Sequence, residues 1–169
     1  MGVTIHFEGR LRDDDALANV LAIAAEHAES NGWASETLDR DHDVLNREID
    51  EESCDYEGPV RGVALYPHED CEPVRLEFDA DLFVQEFTKT QFAGVAIHCA
   101  VVALLRDLEP HFVELEVFDE GEYWDSGDLE RLEEHCAAFD VALADFVANN
   151  PNVAVKVHLP GGRIADIVE

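Results

Sequence analysis

Regular alternation of apolar and polar residues marks five segments of this chain and limits the folds that the chain can form. The apolar positions of these segments are Val3, Ile5 and Phe7; Val63 and Leu65; Val74, Leu76 and Phe78; Val113, Leu115 and Val117; and Val153, Val155 and Val157. A period of two is typical of strands with one buried face. Strands of an all-parallel sheet are buried on both faces and are continuous apolar runs. The alternation therefore favours a mixed sheet that carries helices on one face only.

Three runs with helical spacing lie between these strands. The first begins at the acidic residues 13–15 and ends at Asn31-Gly32, a pair that commonly stops a helix. The second, residues 92–108, is apolar on nearly every side and predicts a buried helix. The third extends from residue 128 to about 149, with a predicted buried stripe of Leu129, Leu132, Cys136, Phe139, Leu143 and Phe146. Together the elements predict an α/β (α+β) fold, a two-layer sandwich whose mixed sheet has about three helices packed on one face.

The remaining segments predict two hairpins and one poorly defined stretch. Residues 61–79 predict two strands joined by residues 67–73, and the last hairpin turns at Pro160-Gly161-Gly162 before a strand over residues 164–168. Residues 33–58 show no clear period, and we expect a short strand near residues 35–39 followed by an acidic loop. We expect a single globular domain over residues 1–169, since chains usually divide only beyond roughly 250 residues.

The balance of charges is the strongest compositional feature. The chain has 39 Asp and Glu residues against 11 Lys and Arg residues, a formal net charge of −28, and its only lysines are Lys89 and Lys156. This composition is similar to that of halophilic proteins, which work in molar salt, where a Debye length of about 3 Å screens repulsion between carboxylates. Nucleic acid and anionic membrane lipid are excluded as direct partners, because the few basic residues are scattered singly.

The expected location is the cytoplasm, and the expected state of the cysteines is reduced. The chain has no apolar run of about 18 residues and no signal-peptide pattern at its first residues. Its cysteines, Cys54, Cys71, Cys99 and Cys136, form no C-x-x-C pair. Zinc binding by Cys54, His68 and Cys71, with His42 nearby, would need a second closely spaced pair of ligands that the sequence lacks. We therefore expect no metal and no cofactor.

The segment from Phe118 to Asp128 is the strongest candidate for a functional site. It follows the end of a strand and contains three aromatic residues, five carboxylates and two glycines. We take as candidate binding residues His98, Asp119, Glu120, Glu122, Tyr123 and Trp124. Gly121 would let the backbone turn so that the carboxylates of Glu120 and Glu122 face one point. The alternative is a structural loop in which the aromatic residues pack and an acidic residue caps the next helix.

Two His-Cys dipeptides lie in predicted helices, at His98-Cys99 and His135-Cys136. Adjacent helical residues point about 100° apart, so a nucleophile and its base would have to come from different elements, for example Cys99 and His135. The alternative is that both cysteines are small core residues and that each histidine has a hydrogen-bonding partner. His98 is of more interest than His135 because its helix is otherwise so apolar.

The polar positions of the strands predict a second, outward face of the sheet. Period-two alternation places on that face Thr4, His6, Glu8, Arg75, Glu77, Glu114, Glu116, Lys156 and His158. We expect Arg75 and Lys156 to pair across strands with the neighbouring glutamates. Such a face is either solvated or covered by a second copy of the chain, and we expect a homodimer.

Three functions are compatible with these features, and no catalytic motif decides between them. The first is a small acidic domain that acts through binding or homo-oligomerisation. The second is a hydrolase-like enzyme that uses carboxylates of the 119–128 loop with His98 as acid or base, and a pocket that holds these groups together would support it. The third is an acidic inhibitor or immunity-type protein for a basic partner, which would need its acids on one face.

Overall fold

The computed structural model describes residues 2–168. The strands are β1 (Thr4–Leu11), β2 (Ala34–Ile49), β3 (Glu52–Tyr66), β4 (Val74–Phe78), β5 (Phe83–Lys89), β6 (Phe112–Asp119), β7 (Ala154–His158) and β8 (Ile164–Val168). The helices are α1 (Asp14–Asn31), α2 (Val95–Leu108), α3 (Tyr123–Ser126) and α4 (Leu129–Asn149), with 3-10 turns at Glu109–His111 and Pro160–Gly162. The three predicted helices and the two predicted hairpins are confirmed. Strand β5 and the length of β2 and β3 were not predicted.

The strands form three sheets, and every strand pair within residues 2–168 is antiparallel. In the first sheet β1 lies between β5 and β6, in the second β3 lies between β2 and β4, and β7 pairs with β8 in the third. The predicted α+β class is confirmed. One detail is corrected: the expected mixed sheet is absent from the described residues, because the neighbours of β1 both run antiparallel to it.

The core lies between helices α1 and α2 and the inner face of the sheets. β1 turns Ile5 and Phe7 into this core, where both are almost inaccessible to solvent. α1 packs against β1 and β3 and is well defined at both ends. At its start the Asp13 carboxylate accepts a hydrogen bond from the Ala16 N–H, and at its end Gly32 adopts a left-handed conformation with φ of 68°. This packing turns the polar residues of β1 to the opposite face of the sheet.

The β2–β3 hairpin extends far beyond the sheet, where an acidic loop was expected. A register shift between Arg40 and Asp43 separates its sheet portion from a projecting portion, residues 43–58, which we call the arm. The arm turns at Asp50 and Glu51, both of which have positive φ, as a two-residue hairpin turn requires. Its few apolar residues, such as Val44, Leu45 and Ile49, do not recur at every second position, so the period-two signal of a half-buried strand is missing there and the strand could not be predicted.

Helix α4 is less buried than its sequence predicts. Of the predicted stripe, Leu132 and Phe139 are buried, whereas Leu129 and Phe146 remain 48% and 40% exposed. Phe139 packs edge-on against Phe92 at a ring distance of 5.7 Å. Beyond this contact the apolar stripe continues along the helix, and the described residues of the chain do not cover it.

Candidate functional site

The structure brings two of the predicted site residues, His98 and Asp119, into direct contact. His98 lies in the first turns of α2, and Asp119 is the last residue of β6. The His98 Nε2 atom lies 3.0 Å from a carboxylate oxygen of Asp119 and donates its hydrogen to it. On the other side of the ring, Nδ1 lies 2.8 Å from the hydroxyl oxygen of Thr90, a residue that the sequence analysis did not single out.

Asp119 also holds the loop that follows it. Its carboxylate accepts backbone hydrogen bonds from Gly121 N–H at 2.8 Å and Trp124 N–H at 2.9 Å. Burial alone would raise the pKa of Asp119, but the hydrogen bond and charge of His98, together with these two N–H groups, hold the pKa below its usual value. The ionised carboxylate therefore joins α2, β6 and the loop.

This cluster is closed to solvent. His98 and Thr90 are each 1% exposed and Asp119 is 3% exposed. A Cβ atom on Gly121 would lie 2.6 Å from Leu132 Cδ1 and 3.2 Å from His98 Cε1, so the loop packs directly over the imidazole. The chemical groups resemble an acid, base and hydroxyl set, but no substrate reaches them. The pocket that would have supported the hydrolase hypothesis does not form around His98.

The two loop glutamates point to different parts of the molecule, so the expectation that they face one point is wrong. Glu120 accepts a hydrogen bond from the Thr4 N–H of β1 at 2.9 Å. Glu122 is paired with α4, where it lies 2.6 Å from His135 Nε2 and 2.9 Å from Arg131 Nε. The hydrogen bond with His135 lowers the pKa of Glu122. Each carboxylate thus fixes the loop to a different neighbour.

The aromatic residues of the loop pack against neighbouring side chains, and Cys99 and Cys136 are partly buried. Trp124 is buried beneath the Arg106 guanidinium, which lies 3.6 Å from the ring centroid, and Tyr123 meets the His98 ring edge-on at 6.4 Å. Desolvation by burial raises the pKa of Cys99 and of Cys136. The proposed partner of Cys99, His135, is bonded to Glu122 instead.

The residues considered for zinc do not assemble a site in the part of the chain that the structure describes. No group of three His, Cys, Asp or Glu side chains between residues 2 and 168 is placed to hold a metal ion. Cys54 is exposed on β3. Burial, with a contribution from the neighbouring Glu72 carboxylate, raises the pKa of the Cys71 thiol to about 12, so this thiol stays protonated.

A different region, the outer face of the first sheet, forms a large groove. The arm folds over this face and is held there by two hydrogen bonds of 2.7 Å. The Gln85 side chain of β5 accepts one from the Glu48 N–H and donates the other to the Glu48 carbonyl. Arg47 strengthens this contact by donating to the Gln85 carbonyl at 3.1 Å. The resulting groove has a volume of about 1010 Å³ and is bounded by the arm, by β4 and by Arg163 of the last hairpin.

The floor of the groove confirms part of the predicted outward face. The strand register places His6, Glu8, Glu114 and Glu116 on one side of the sheet, and His6, Glu8 and Glu116 line the groove. Arg75 and Glu77 of β4 line it as well, with their charged groups 3.6 Å apart along a single strand rather than across strands. The other predicted members lie elsewhere.

Three residues of the predicted outward face are corrected. Thr4 is buried beside β5 rather than exposed. Lys156 and His158 belong to the separate β7–β8 hairpin, where Lys156 Nζ pairs with Asp70 at 2.9 Å and the His158 ring lies 3.7 Å from the same carboxylate. The chain's own arm also covers part of the face that a second copy was expected to cover.

The groove differs from the buried cluster in that its apolar side chains are open to solvent. Phe118 is 66% exposed, Val44 47% and Phe87 38%. No hydrogen-bonded pair of nucleophile and base lies among the groove residues described by the structure. The single imidazole of the groove belongs to His6, and its nearest carboxylate oxygen, Glu120 Oε1, lies 3.9 Å from it. The arrangement is suited to binding.

Comparisons with known proteins do not relate this chain to others. No family model, no curated protein and no solved structure matches it. Within residues 2–168, no helix combines the length and the apolar character needed to cross a membrane.

Proposed function

We propose that the protein acts by binding, and that the groove between the arm and the first sheet receives its ligand or partner. The observation that carries this proposal is the exposure of Val44, Phe87 and Phe118 inside a concave surface built from distant segments of the chain. Exposed apolar side chains gathered in a concavity are typical of binding sites. A nucleic acid is a poor occupant, because glutamates outnumber arginines around the groove.

Binding is preferred to the two alternatives for physical reasons. A hydrolase based on His98 and Asp119 would need a substrate to reach groups that are at most 3% exposed, and the carboxylates of Glu120 and Glu122 are bonded to other parts of the chain. An acidic inhibitor would need its carboxylates gathered on one face, whereas acidic residues occur in every described strand except β7 and in all four α-helices. We further propose that binding takes place in a cytoplasm with molar salt, in keeping with the net charge of −28.

The groove can be tested with three small probes that share one ring and differ in charge: benzylamine, benzyl alcohol and benzoate. They are titrated into isotope-labelled protein in molar potassium chloride, and the backbone amide resonances are followed by NMR. At least one probe is expected to shift the resonances of Val44, Glu116 and Phe118 in a saturable manner, while Val141 of α4 stays unchanged. Three probes that all leave the groove resonances unchanged would contradict the proposal.

We also propose that the protein forms a homodimer, through the second half of α4. This part of the helix leaves Phe146 40% exposed, beside the half-buried Leu143 and Val147 on the same side of the helix. A continuous apolar stripe that its own chain does not cover is a common feature of subunit interfaces. Screening by molar salt would allow two chains of high negative charge to approach.

The proposed dimer can be tested by its mass and by a variant that is expected to be monomeric. Light scattering in molar potassium chloride is expected to give twice 18.8 kDa for the native chain. Replacing Phe146 and Val147 together by Ser is expected to give the monomer. Val113→Ser, which removes a more exposed apolar side chain from β6, serves as the control and should remain dimeric. A monomeric native chain at high concentration would reject the proposed dimer.

A further inference from the structure

A row of three rings crosses the floor of the groove. The strand register places His6 of β1 beside Phe87 of β5 on one side and Phe118 of β6 on the other. The ring centroids are 5.7 Å apart for His6 and Phe87 and 5.9 Å apart for His6 and Phe118. The row is therefore continuous, and both of its ends are open to solvent.

The chain itself shows how one end of this row holds a cation. The guanidinium of Arg163 lies 4.0 Å from the centroid of the Phe87 ring. Two carboxylates hold it there, Glu86 at 2.8 Å and Glu72 at 3.2 Å. A cation over an aromatic face and between carboxylates gains both from the ring quadrupole and from direct charge attraction. Arg163 thus occupies the Phe87 end.

The Phe118 end has the same kinds of groups without a cation from the chain. Glu116 precedes Phe118 by two residues on the same face of β6, and Glu8 lies directly opposite Glu116 in the register of β1. Gln85 donates one hydrogen bond to Glu8 at 2.7 Å. Between residues 2 and 168, no Lys or Arg nitrogen lies within 4.0 Å of the carboxylate of Glu8 or of Glu116.

Repulsion between the facing carboxylates of Glu8 and Glu116 destabilises the sheet, and a bound cation would remove this repulsion. Like charges placed directly opposite on neighbouring strands destabilise a sheet. The two carboxylates alone would attract a cation, and the exposed ring of Phe118 beside them adds an apolar surface. A positive group over that ring would be attracted by both carboxylates, as Arg163 is at the other end.

From this repetition we infer that the Phe118 end of the groove binds an organic cation, an ammonium or guanidinium attached to an apolar body. The positive group lies over Phe118 beside Glu8 and Glu116, and the apolar body reaches Val44 of the arm. The inference rests on the proposed function of the groove and adds the chemical class of its occupant. Two sources supply this chemistry, a free amine or a basic side chain of a polypeptide.

The three matched probes also test the charge of the occupant. Benzylamine, which is cationic at neutral pH, is expected to bind about tenfold more tightly than benzyl alcohol and benzoate, with its largest shifts at Glu116 and Phe118. If benzyl alcohol or benzoate binds the groove as tightly, the inference is wrong while the proposed function stands. If no probe shifts the groove, both are wrong, so the two failures are distinguishable.

Variants with matched controls identify the groups responsible. The double variant Glu8→Gln with Glu116→Gln and the variant Phe118→Ala are each expected to weaken benzylamine binding about tenfold. Glu114→Gln and Val113→Ala alter the same strand outside the groove and should leave the affinity unchanged. Equal affinity in all four variants would overturn the assignment, provided that NMR spectra show each variant to be folded.

A blocked tripeptide separates the two sources of the cation. The peptide acetyl-Phe-Arg-Phe-amide carries a guanidinium between two apolar side chains and spans more of the groove than benzylamine does. Binding at least tenfold tighter than that of benzylamine indicates a basic polypeptide, and equal or weaker binding indicates a free amine. Either result supports an organic cation, whereas loss of discrimination between this peptide and acetyl-Phe-Glu-Phe-amide would contradict it.

Discussion

Replacing Asp119 by Ala is expected to lower the free energy of unfolding by about 3–5 kcal/mol, the largest effect of any single substitution considered. The Asp119 carboxylate is the acceptor for His98 Nε2–H and for the backbone N–H groups of Gly121 and Trp124. Removing it leaves these three buried donors without a partner, and each unpaired buried donor costs about 1–3 kcal/mol. Urea unfolding of the native chain and the variant, in the same molar salt, measures the difference.

The control for this substitution lies six residues further along the same loop. Asp125 is exposed and makes no hydrogen bond through its side chain within the described residues, so Asp125→Asn should leave the unfolding midpoint nearly unchanged. If Asp119→Ala also unfolds at the native midpoint, the buried cluster does not stabilise the loop. That result would reopen the possibility that His98 and Asp119 serve a chemical role.

The stabilisation by Asp119 should also depend on pH in a definite direction. Its pKa in the folded protein lies below the usual value, so on acidification the unfolded chain takes up a proton first, near a pH of about 3.9. The stabilisation is therefore fully present above that pH and is lost as the pH falls through the folded pKa. The difference in unfolding free energy between the native chain and Asp119→Asn should be largest above about pH 5 and should shrink as the pH falls below about 3.9.

Sequence patterns predicted the elements whose two faces differ in polarity. β1 and β6 alternate cleanly because one face of each meets the helices, and α1 has both an acidic N-cap and a terminal glycine. β5 escaped prediction for the opposite reason: Val84 and Thr88 are turned inward, while Phe83 and Phe87 give its outer face an apolar character as well. A strand that is apolar on both faces but interrupted by Gln and Glu has no clear period.

The buried cluster around His98 and the groove could be predicted from the sequence only in part. His98 and Asp119 were both singled out from the sequence, but their contact depends on how α2 packs against the end of β6, and Thr90 has no pattern that marks it. Alternation correctly placed His6, Glu8 and Glu116 on one face. The groove itself could not be predicted, because it depends on contacts between distant segments, such as Gln85 with Glu48 and Arg163 with Glu86.

The second large effect concerns salt, and it follows from the excess of acidic residues. With 39 acidic and 11 basic residues, at least 28 carboxylates have no basic side chain of the same chain to neutralise them. Folding brings these charges closer together than they are in the unfolded chain. The resulting repulsion destabilises the compact state in dilute buffer, where the Debye length of about 30 Å leaves most carboxylate pairs unscreened.

Potassium chloride is expected to raise the unfolding midpoint by at least about 10 °C between dilute buffer and molar salt, equivalent to several kcal/mol for a chain of this size. The surface ion pairs, such as Arg61 with Asp14, respond in the opposite direction because salt weakens attraction as well. The sign of the change in the midpoint therefore shows whether the screening of repulsion or the screening of attraction dominates.

Most of the rise in the midpoint should come at low concentration, since the Debye length has already fallen to about 10 Å at 0.1 M. Trehalose, which stabilises proteins without screening charge, serves as the control and should not reproduce that early rise. A midpoint that is independent of salt, or that falls as salt is added, would contradict adaptation of this chain to a salt-rich cytoplasm.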